Sequence, residues 1–282
     1  MPSPPPAGAV DEAIRRALAE DLGDAGDITT NSIVSPSATS QAVIAARKAG
    51  VVAGLDFAKR VFELAGGGVT AVVKVNEGDR VAAGAVVMTL SGATRTILSG
   101  ERVALNFLGR LSGIATATAE IVTAVAHTKA RICCTRKTTP GLRALEKYAV
   151  RCGGGVNHRF GLYDAVLIKD NHIVAAGGIG PAVAAARRSA GHMVKIEVET
   201  DTLAQVDEAL AAKADVIMLD NMTPAEMKVA VTRIAGRAVT EASGSVTKVT
   251  APAIAETGVD LISVGWITHS APNLDVGLDL VT

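Results

Sequence analysis

Between Arg131 and His172 the chain reads RICCTRKTTPGLRALEKYAVRCGGGVNHRFGLYDAVLIKDNH. It carries eight Lys/Arg (131, 136, 137, 143, 147, 151, 159, 169) against three Asp/Glu (146, 164, 170). The whole chain is neutral, with 28 residues of each sign, so the excess is local. Several of these cations stand where an apolar run stops: Arg136-Lys137 after ICCT, and Lys169 after AVLI. Cations at the ends of buried strands describe a pocket for a polyanionic small molecule. A basic surface stripe would instead spread its charges along helices or loops.

The residues just after each apolar run, read on toward the C-terminus, are Arg136-Lys137, Lys169, Glu199, Asp220, Ser243-Gly244 and Gly265. On parallel strands these all fall on one rim, the C-terminal face where α/β barrels gather their chemistry. Each has a plain structural reading: Lys169 as a solvated strand end, Asp220-Asn221 before Thr223-Pro224 as a helix N-cap. The alternation of charge from strand to strand favours a functional rim. EASGSV (241–246) and SVGW (263–266) supply Ser and Gly loops of the kind that cradle phosphate on backbone N–H groups. A helix starting after Ser245 would add its dipole. Glu199 and Asp220 suit Mg²⁺ shared with substrate phosphates, or ribose hydroxyls. Cys133, Cys134, Cys152, His158 and His172 fit no zinc spacing. His158 beside Arg159 reads as an anion donor, while Arg143, Lys147 and Arg151 read as helix-surface charges.

The elements that must hold this rim follow a βα grammar. After Lys129 the apolar runs RICCT, DAVLI, VKIEV, DVIML, AVTEA and DLISV alternate with helical segments such as LRALEKYAV, PAVAAARRSA, LAQVDEALAA and PAEMKVAVTRIA. Right-handed crossovers then give a parallel sheet or barrel. Six strands fall short of a complete eight-stranded barrel, so an open or seven-stranded one is expected, with a weaker strand near GVNHR. Before Lys129 the grammar differs. Residues 1–9 read as a Pro-rich disordered tail, DEAIRRALAEDL (11–22) as a helix with Asp11 as N-cap, and GDAGDITT as a loop. QAVIAA, VTAVVKV, AVVMTL and ATRTIL read as strands, FAKRVFELAG (57–66) as a helix, and 100–126 as one long or twice-broken helix starting at Ser99 or Gly100. LDVGLDLV (274–281) alternates as a strand and is expected to return to the first domain. The fold class is α/β: an N-terminal α/β sandwich (10–112 plus 270–282) and an open, incomplete (β/α) barrel with parallel strands (113–269). VNEGDRVAAGAVVMTLSG (75–92) has the hairpin grammar of a biotinyl or lipoyl carrier but no lysine for its tip.

Composition narrows the function classes. Hydrophobic content of 49% and charged content of 20% suit a globular core, and only 2% of residues are aromatic. A neutral chain with so few stacking side chains is not built for nucleic acid. Three cysteines, two of them adjacent, make no disulfide framework, which points to a cytoplasmic protein. No signal peptide is legible at MPSPPPAGAV, and no run approaches the roughly 18 apolar residues that span a membrane.

The segments EDLGDAGDITT, GVVAGLDFA, GERVALNFLGRLSGIAT, TRKTTPGLRALEKYAV, GGGVNHRFGLYDAVLIKDNHI, IEVE, DVIMLDN, EASG and THSAP resemble the quinolinate phosphoribosyltransferases over nearly the whole chain. The resemblance implies transfer of phosphoribosyl from 5-phosphoribosyl-1-diphosphate to the ring nitrogen of quinolinate, with decarboxylation. Nicotinate mononucleotide, diphosphate and CO₂ are then the products, in NAD biosynthesis. It implies that Thr135, Arg136, His158 and Arg159 hold the pyridine dicarboxylate, with Lys137 and Lys169 reaching between quinolinate and diphosphate. Glu199 and Asp220 would face the ribose and Mg²⁺, and Ser243, Gly244, Ser245, Val264 and Gly265 would form the 5-phosphate loops. It also implies a homodimer, or a larger assembly of dimers, in which Arg102 is lent to the neighbouring subunit's site. Planar guanidinium forks suit two carboxylates, and no nucleophilic side chain is needed. Trp266 after Gly265, where the family usually carries a small or unbranched residue, and Ser245, where Gly or Asn is commoner, depart from the pattern at the phosphate end. Three other readings differ in test: a relative acting on another pyridine, a Schiff-base aldolase using Lys169, and a non-catalytic phosphometabolite binder.

Overall fold

The structure, a computed structural model, describes residues 2–281; Met1 of the expected tail and Thr282 lie outside the described residues. In chain order the first elements are α1 (Ala7–Leu22), α2 (Ile28–Ile33), β1 (Thr39–Ala46), β2 (Gly50–Val51), α3 (Leu55–Leu64), β3 (Val69–Val73), β4 (Arg80–Val81), β5 (Val86–Ala93) and α4 (Thr94–Val125). Then come β6 (Arg131–Cys133), α5 (Arg143–Cys152), β7 (Val166–Ile168), α6 (Asp170–Ala176), α7 (Ile179–Ser189), β8 (Ile196–Thr200) and α8 (Leu203–Ala211). The chain ends with β9 (Val216–Asp220), α9 (Pro224–Ile234), β10 (Val239–Ser243), α10 (Ala251–Ala255), β11 (Leu261–Ser263), α11 (Trp266–His269) and β12 (Val276–Val281). They form two compact units. One runs to Ala119, takes in Thr138–Gly154 and resumes at Ile267; the other comprises Glu120–Lys137 and Gly155–Trp266.

The first unit is built on an antiparallel sheet in the order β12-β1-β5-β3. The alternating C-terminal strand returns here as expected, pairing Ala42 with Leu280 and Ile44 with Leu278. Val10, Ile14 and Leu18 of α1, and Phe57, Val61 and Phe62 of α3, are buried at helical spacing. Three local readings are corrected. The first helix begins at Ala7 behind Pro6, so Asp11 is not its cap and the expected tail is shorter; the Asp11 carboxylate instead accepts from Arg60 Nε and Nη2, at 2.9 and 2.7 Å. GDITT is not all loop: Asp27 accepts from the Thr30 N–H at 2.9 Å and caps α2. ATRTIL is not a strand. It opens the 32-residue α4, because the Thr94 N–H closes on the Ala38 carbonyl and Arg95 turns to the Val34 carbonyl.

Helix α5, expected within 113–269, belongs to this first unit. Its Tyr148 ring lies 5.5 Å from that of Phe57, and its Glu146 is fully buried against Arg110. Lys147 is 1% exposed and therefore not the surface charge expected, whereas Arg151 is exposed. The C-terminal segment packs directly on α4. A Cβ at Gly113 would stand 2.1 Å from the Pro272 carbonyl oxygen, so only glycine fits there.

The second unit carries all six expected strands in one parallel sheet, ordered β6-β11-β10-β9-β8-β7. The weaker strand near GVNHR is present as a single parallel bridge from Val156 to Cys133. The ladder does not close, matching the open, incomplete barrel expected. Register and period-2 alternation assign its residues to two faces. Ile132, Ile168, Ile196, Val198, Ile217, Leu219, Ala242 and Ile262 share one face, the apolar one that helices cover in a parallel sheet. Cys133, Leu167, Glu197, Glu199, Met218, Asp220, Glu241, Ser243 and Ser263 share the other. That second face is polar, which a structural core alone does not explain.

Candidate active site

Because the six strands are parallel, their C-terminal ends form one rim, and the charges read from the sequence lie along it. Lys169 follows β7, and its Nζ bonds Glu199 Oε2 on the neighbouring β8. The Lys169 backbone N–H is held by His172 Nδ1 at 2.9 Å, which sets the start of α6. Asp220 ends β9. It is not a helix cap: that task falls to Thr223, whose hydroxyl accepts from the Glu226 N–H at the start of α9. Thr202 does the same for α8. Glu199, paired with Lys169, and Asp220 thus share the polar face, with Asn221 Nδ2 donating to Asp220 Oδ2 at 2.7 Å.

The basic part of the rim comes from the ends of β6 and the Val156 bridge. Thr135 Oγ1 accepts from the Lys137 N–H at 3.0 Å and shapes the turn that carries Arg136 and the exposed Lys137. Arg159 reaches the Ala165 carbonyl through Nη1 at 3.1 Å, while its buried Nε meets no protein acceptor. Burial lowers the Arg159 pKa from its usual value, and the nearby Arg136 charge lowers it further. A buried guanidinium with an unmet Nε near a second arginine charge suits an anion with more than one charge.

His158 joins this part to the inside of the sheet. Its Nδ1 accepts from the Arg159 backbone N–H at 2.8 Å, and its Nε2 lies 2.9 Å from Glu197 Oε2 and 3.7 Å from Glu241 Oε1. An acceptor at Nδ1 leaves the proton on Nε2, facing the carboxylates. The ring therefore also fixes the Arg159 backbone beside the expected anion site. Glu197 and Glu241 are both buried, and their ligand atoms and that of His158 lie within 4.8 Å of one another. Desolvation raises the Glu241 pKa to about 7, with the Glu197 charge adding to it and His158 opposing it. The sequence reading missed both glutamates because it took only the residue after each run. Their signal was the alternation itself: Glu197 stands two residues before Glu199, and Glu241 two before Ser243.

At the other end of the rim, β10 and β11 end in Ser243–Val246 and Val264–Gly265. Gly244 lies at φ 105° and Ser245 at φ 44°. A Cβ on Gly244 would stand 2.3 Å from Asn221 Oδ1, so this close turn requires glycine. Asn221, itself at φ 54°, donates its N–H to the Ser243 carbonyl at 3.0 Å. The Val264 N–H pairs with the Cys133 carbonyl at 2.9 Å. No helix starts directly after Ser245. A Thr247–Thr250 turn intervenes and α10 begins only at Ala251, so the expected helix dipole is absent from this loop. Arg102 lies on α4 in the first unit, with its side chain exposed.

Known proteins similar to this chain share nearly its full length. The chain matches the quinolinate phosphoribosyl transferase N-terminal domain over residues 27–112 and the C-terminal domain over residues 114–279. It is 48% identical over 261 residues to the probable nicotinate-nucleotide pyrophosphorylase [carboxylating] of Bacillus subtilis, covering 93% of this chain and 90% of that one. It is 46% identical to the nicotinate-nucleotide pyrophosphorylase [carboxylating] of Mycobacterium leprae, covering 95% and 96%. The crystal structure of NadC from Streptococcus pyogenes superposes with a TM-score of 0.95 at 42% identity, over 100% of both chains. With both domains matched and the length shared throughout, the chain belongs to the quinolinate phosphoribosyltransferase family.

Proposed function

We propose that the chain transfers phosphoribosyl from 5-phosphoribosyl-1-diphosphate to the ring nitrogen of quinolinate, with decarboxylation, giving nicotinate mononucleotide, diphosphate and CO₂ for NAD biosynthesis. The observation that carries this reading is the buried Arg159 Nε, which meets no protein acceptor and lies near the Arg136 charge at the C-terminal ends of the strands. Each guanidinium fork takes one carboxylate in the ring plane. Thr135 shapes the turn beneath Arg136, and His158 holds the Arg159 backbone. Lys137 and Lys169 lie between the acid and the diphosphate.

The reaction asks little covalent chemistry of the protein. The ring nitrogen attacks C1 of the ribose as the diphosphate leaves with the bonding electrons, through an oxocarbenium-like centre. Lys137 and Lys169 stabilise the charge that gathers on the leaving group, while Glu199 and Asp220 face the positive ribose. The nitrogen, now bonded to four electron pairs' worth of substituents, is cationic. Its positive charge stabilises the electron pair that stays on C2 as the 2-carboxylate departs as CO₂, and that pair then takes a proton from water to form the C2–H bond. Gly244, Ser245 and the Val264–Gly265 turn hold the 5-phosphate. Glu199 and Asp220 are hard oxygen donors that cap no helix, so they fit Mg²⁺. When bound, that ion neutralises part of the diphosphate charge.

The same reading includes a homodimer in which Arg102 enters the neighbouring subunit's site. An exposed guanidinium on α4 supports it. The decisive assay is release of labelled CO₂ from carboxyl-labelled quinolinate, which should require the phosphoribosyl donor. Turnover of nicotinate with none of quinolinate would refute the assignment, as would a borohydride-trapped adduct on Lys169.

A further inference from the structure

The loops after β10 and β11 are tied together by one side chain. Trp266 follows Gly265 directly, and its indole Nε1–H donates to the Val246 carbonyl at 2.9 Å. That acceptor closes the Ser243–Val246 turn, whose two middle residues both lie at positive φ. Gly244 adopts such a conformation freely, but Ser245 at φ 44° is strained. Left alone, a serine at this place relaxes toward negative φ and turns its N–H elsewhere. Among the described residues, the N–H groups of Gly244, Ser245 and Val246 meet no protein acceptor, so no ladder or turn bond of their own restrains them. The restraint comes from outside: Asn221 packed against Gly244, the buried Val246 side chain, and the indole on the Val246 carbonyl. A side chain without a donor at position 266 would leave that carbonyl to solvent.

We propose that Trp266 is a positioning residue for the donor's 5-phosphate: by holding the Val246 carbonyl, it keeps the Gly244 and Ser245 N–H groups converged on the anion. The proposal rests on the phosphoribosyl-transfer reading given above. It also accounts for the pairing of a tryptophan with a serine in this rim, since the clamp supports a turn that serine by itself does not hold.

Trp266→Phe keeps an aromatic ring and removes the donor. The KM for 5-phosphoribosyl-1-diphosphate should rise about three- to tenfold, the loss of one net hydrogen bond. In contrast, kcat and the KM for quinolinate should stay within about twofold. An unchanged donor KM overturns the proposal. So does an equal loss in both KM values, kcat and Tm, which is what a residue that merely packs would give. Trp266 is the single tryptophan of the chain, so the unsubstituted protein offers a second measurement. Its emission should change saturably with inorganic phosphate or ribose 5-phosphate and stay constant with quinolinate alone; no response to either phosphate overturns the proposal. If the phosphates are bound in this way but quinolinate releases no CO₂, the functional reading falls and the role of Trp266 stands.

Discussion

Glu197, Glu241 and the His158 imidazole lie together within the sheet, and burial together with the neighbouring Glu197 charge favours the protonated form of Glu241. The sign of the consequence is fixed by the direction of the shift. An unfolded glutamate releases its proton near 4.5, whereas Glu241 in the fold holds it to about 7. Stability from this group is therefore complete below the lower value and is lost as pH rises toward the upper one, by on the order of 3 kcal/mol. Glu241→Gln mimics the protonated form, within a cluster where Glu197 Oε1 meets no protein donor. Denaturant midpoints should show the variant near the parent at pH 5 and more stable than it at pH 8; a difference independent of pH would contradict a proton held there. Arg136→Lys tests the opposite charge. A point-charge ammonium replaces a fork, so kcat/KM for quinolinate should fall about 10- to 100-fold with little change in the donor KM. An equal loss toward both substrates would remove Arg136 from the dicarboxylate.

At the scale of elements, α5 is held by one buried ion pair. The fully buried Glu146 accepts from Arg110 Nε and Nη2 at 3.2 and 2.8 Å, and from the Thr139 N–H and Oγ1 at 3.0 and 2.7 Å. Arg110→Ala strands that carboxylate and should cost about 3 kcal/mol or more. Arg60→Ala breaks its surface pairs with Asp11 and Glu63 and should lower the melting temperature far less than Arg110→Ala. Thermal melts of the two variants make the comparison; equal losses would mean that the buried pair does not pin the helix. This contrast also shows where the sequence was legible. Uninterrupted Val/Ile/Leu runs such as DVIML announced the parallel strands, and the charges after them announced the rim, because period and position survive folding. What α5 packs against was hidden, since LRALEKYAV carries charges on the side that folding buries. ATRTIL was misread for a related reason. Its β-branched residues favour a strand locally, but the chain has already reached the sheet's end at Ala93. The glutamate pair was visible in principle, as alternation along IEVE and TEAS, yet only the register of neighbouring strands brings the two to one histidine.

For the molecule as a whole, the open question that the residues pose is who completes the rim. Arg102 sits on α4 in the first unit, while Arg136, Lys137 and Arg159 belong to the second. If Arg102 serves a neighbouring subunit, the loss of Arg102 and the loss of Lys137 fall in different chains of each composite site. Arg102→Ala and Lys137→Ala homodimers should each be nearly inactive yet still dimeric by sedimentation. Mixing them in equal amounts and allowing subunit exchange makes half of the dimers hybrids by simple statistics. In a hybrid, one site carries both lesions and the other carries neither, so each hybrid retains one intact site. Activity should then recover to about a quarter of the parent value, because half of the dimers each offer one of two sites. A site built within one chain gives a different result. Every site in a hybrid would then carry one lesion, and mixing would restore nothing. Exchange verified by tagged subunits, with no recovery of activity, would therefore place Arg102 in its own chain's chemistry or outside it altogether.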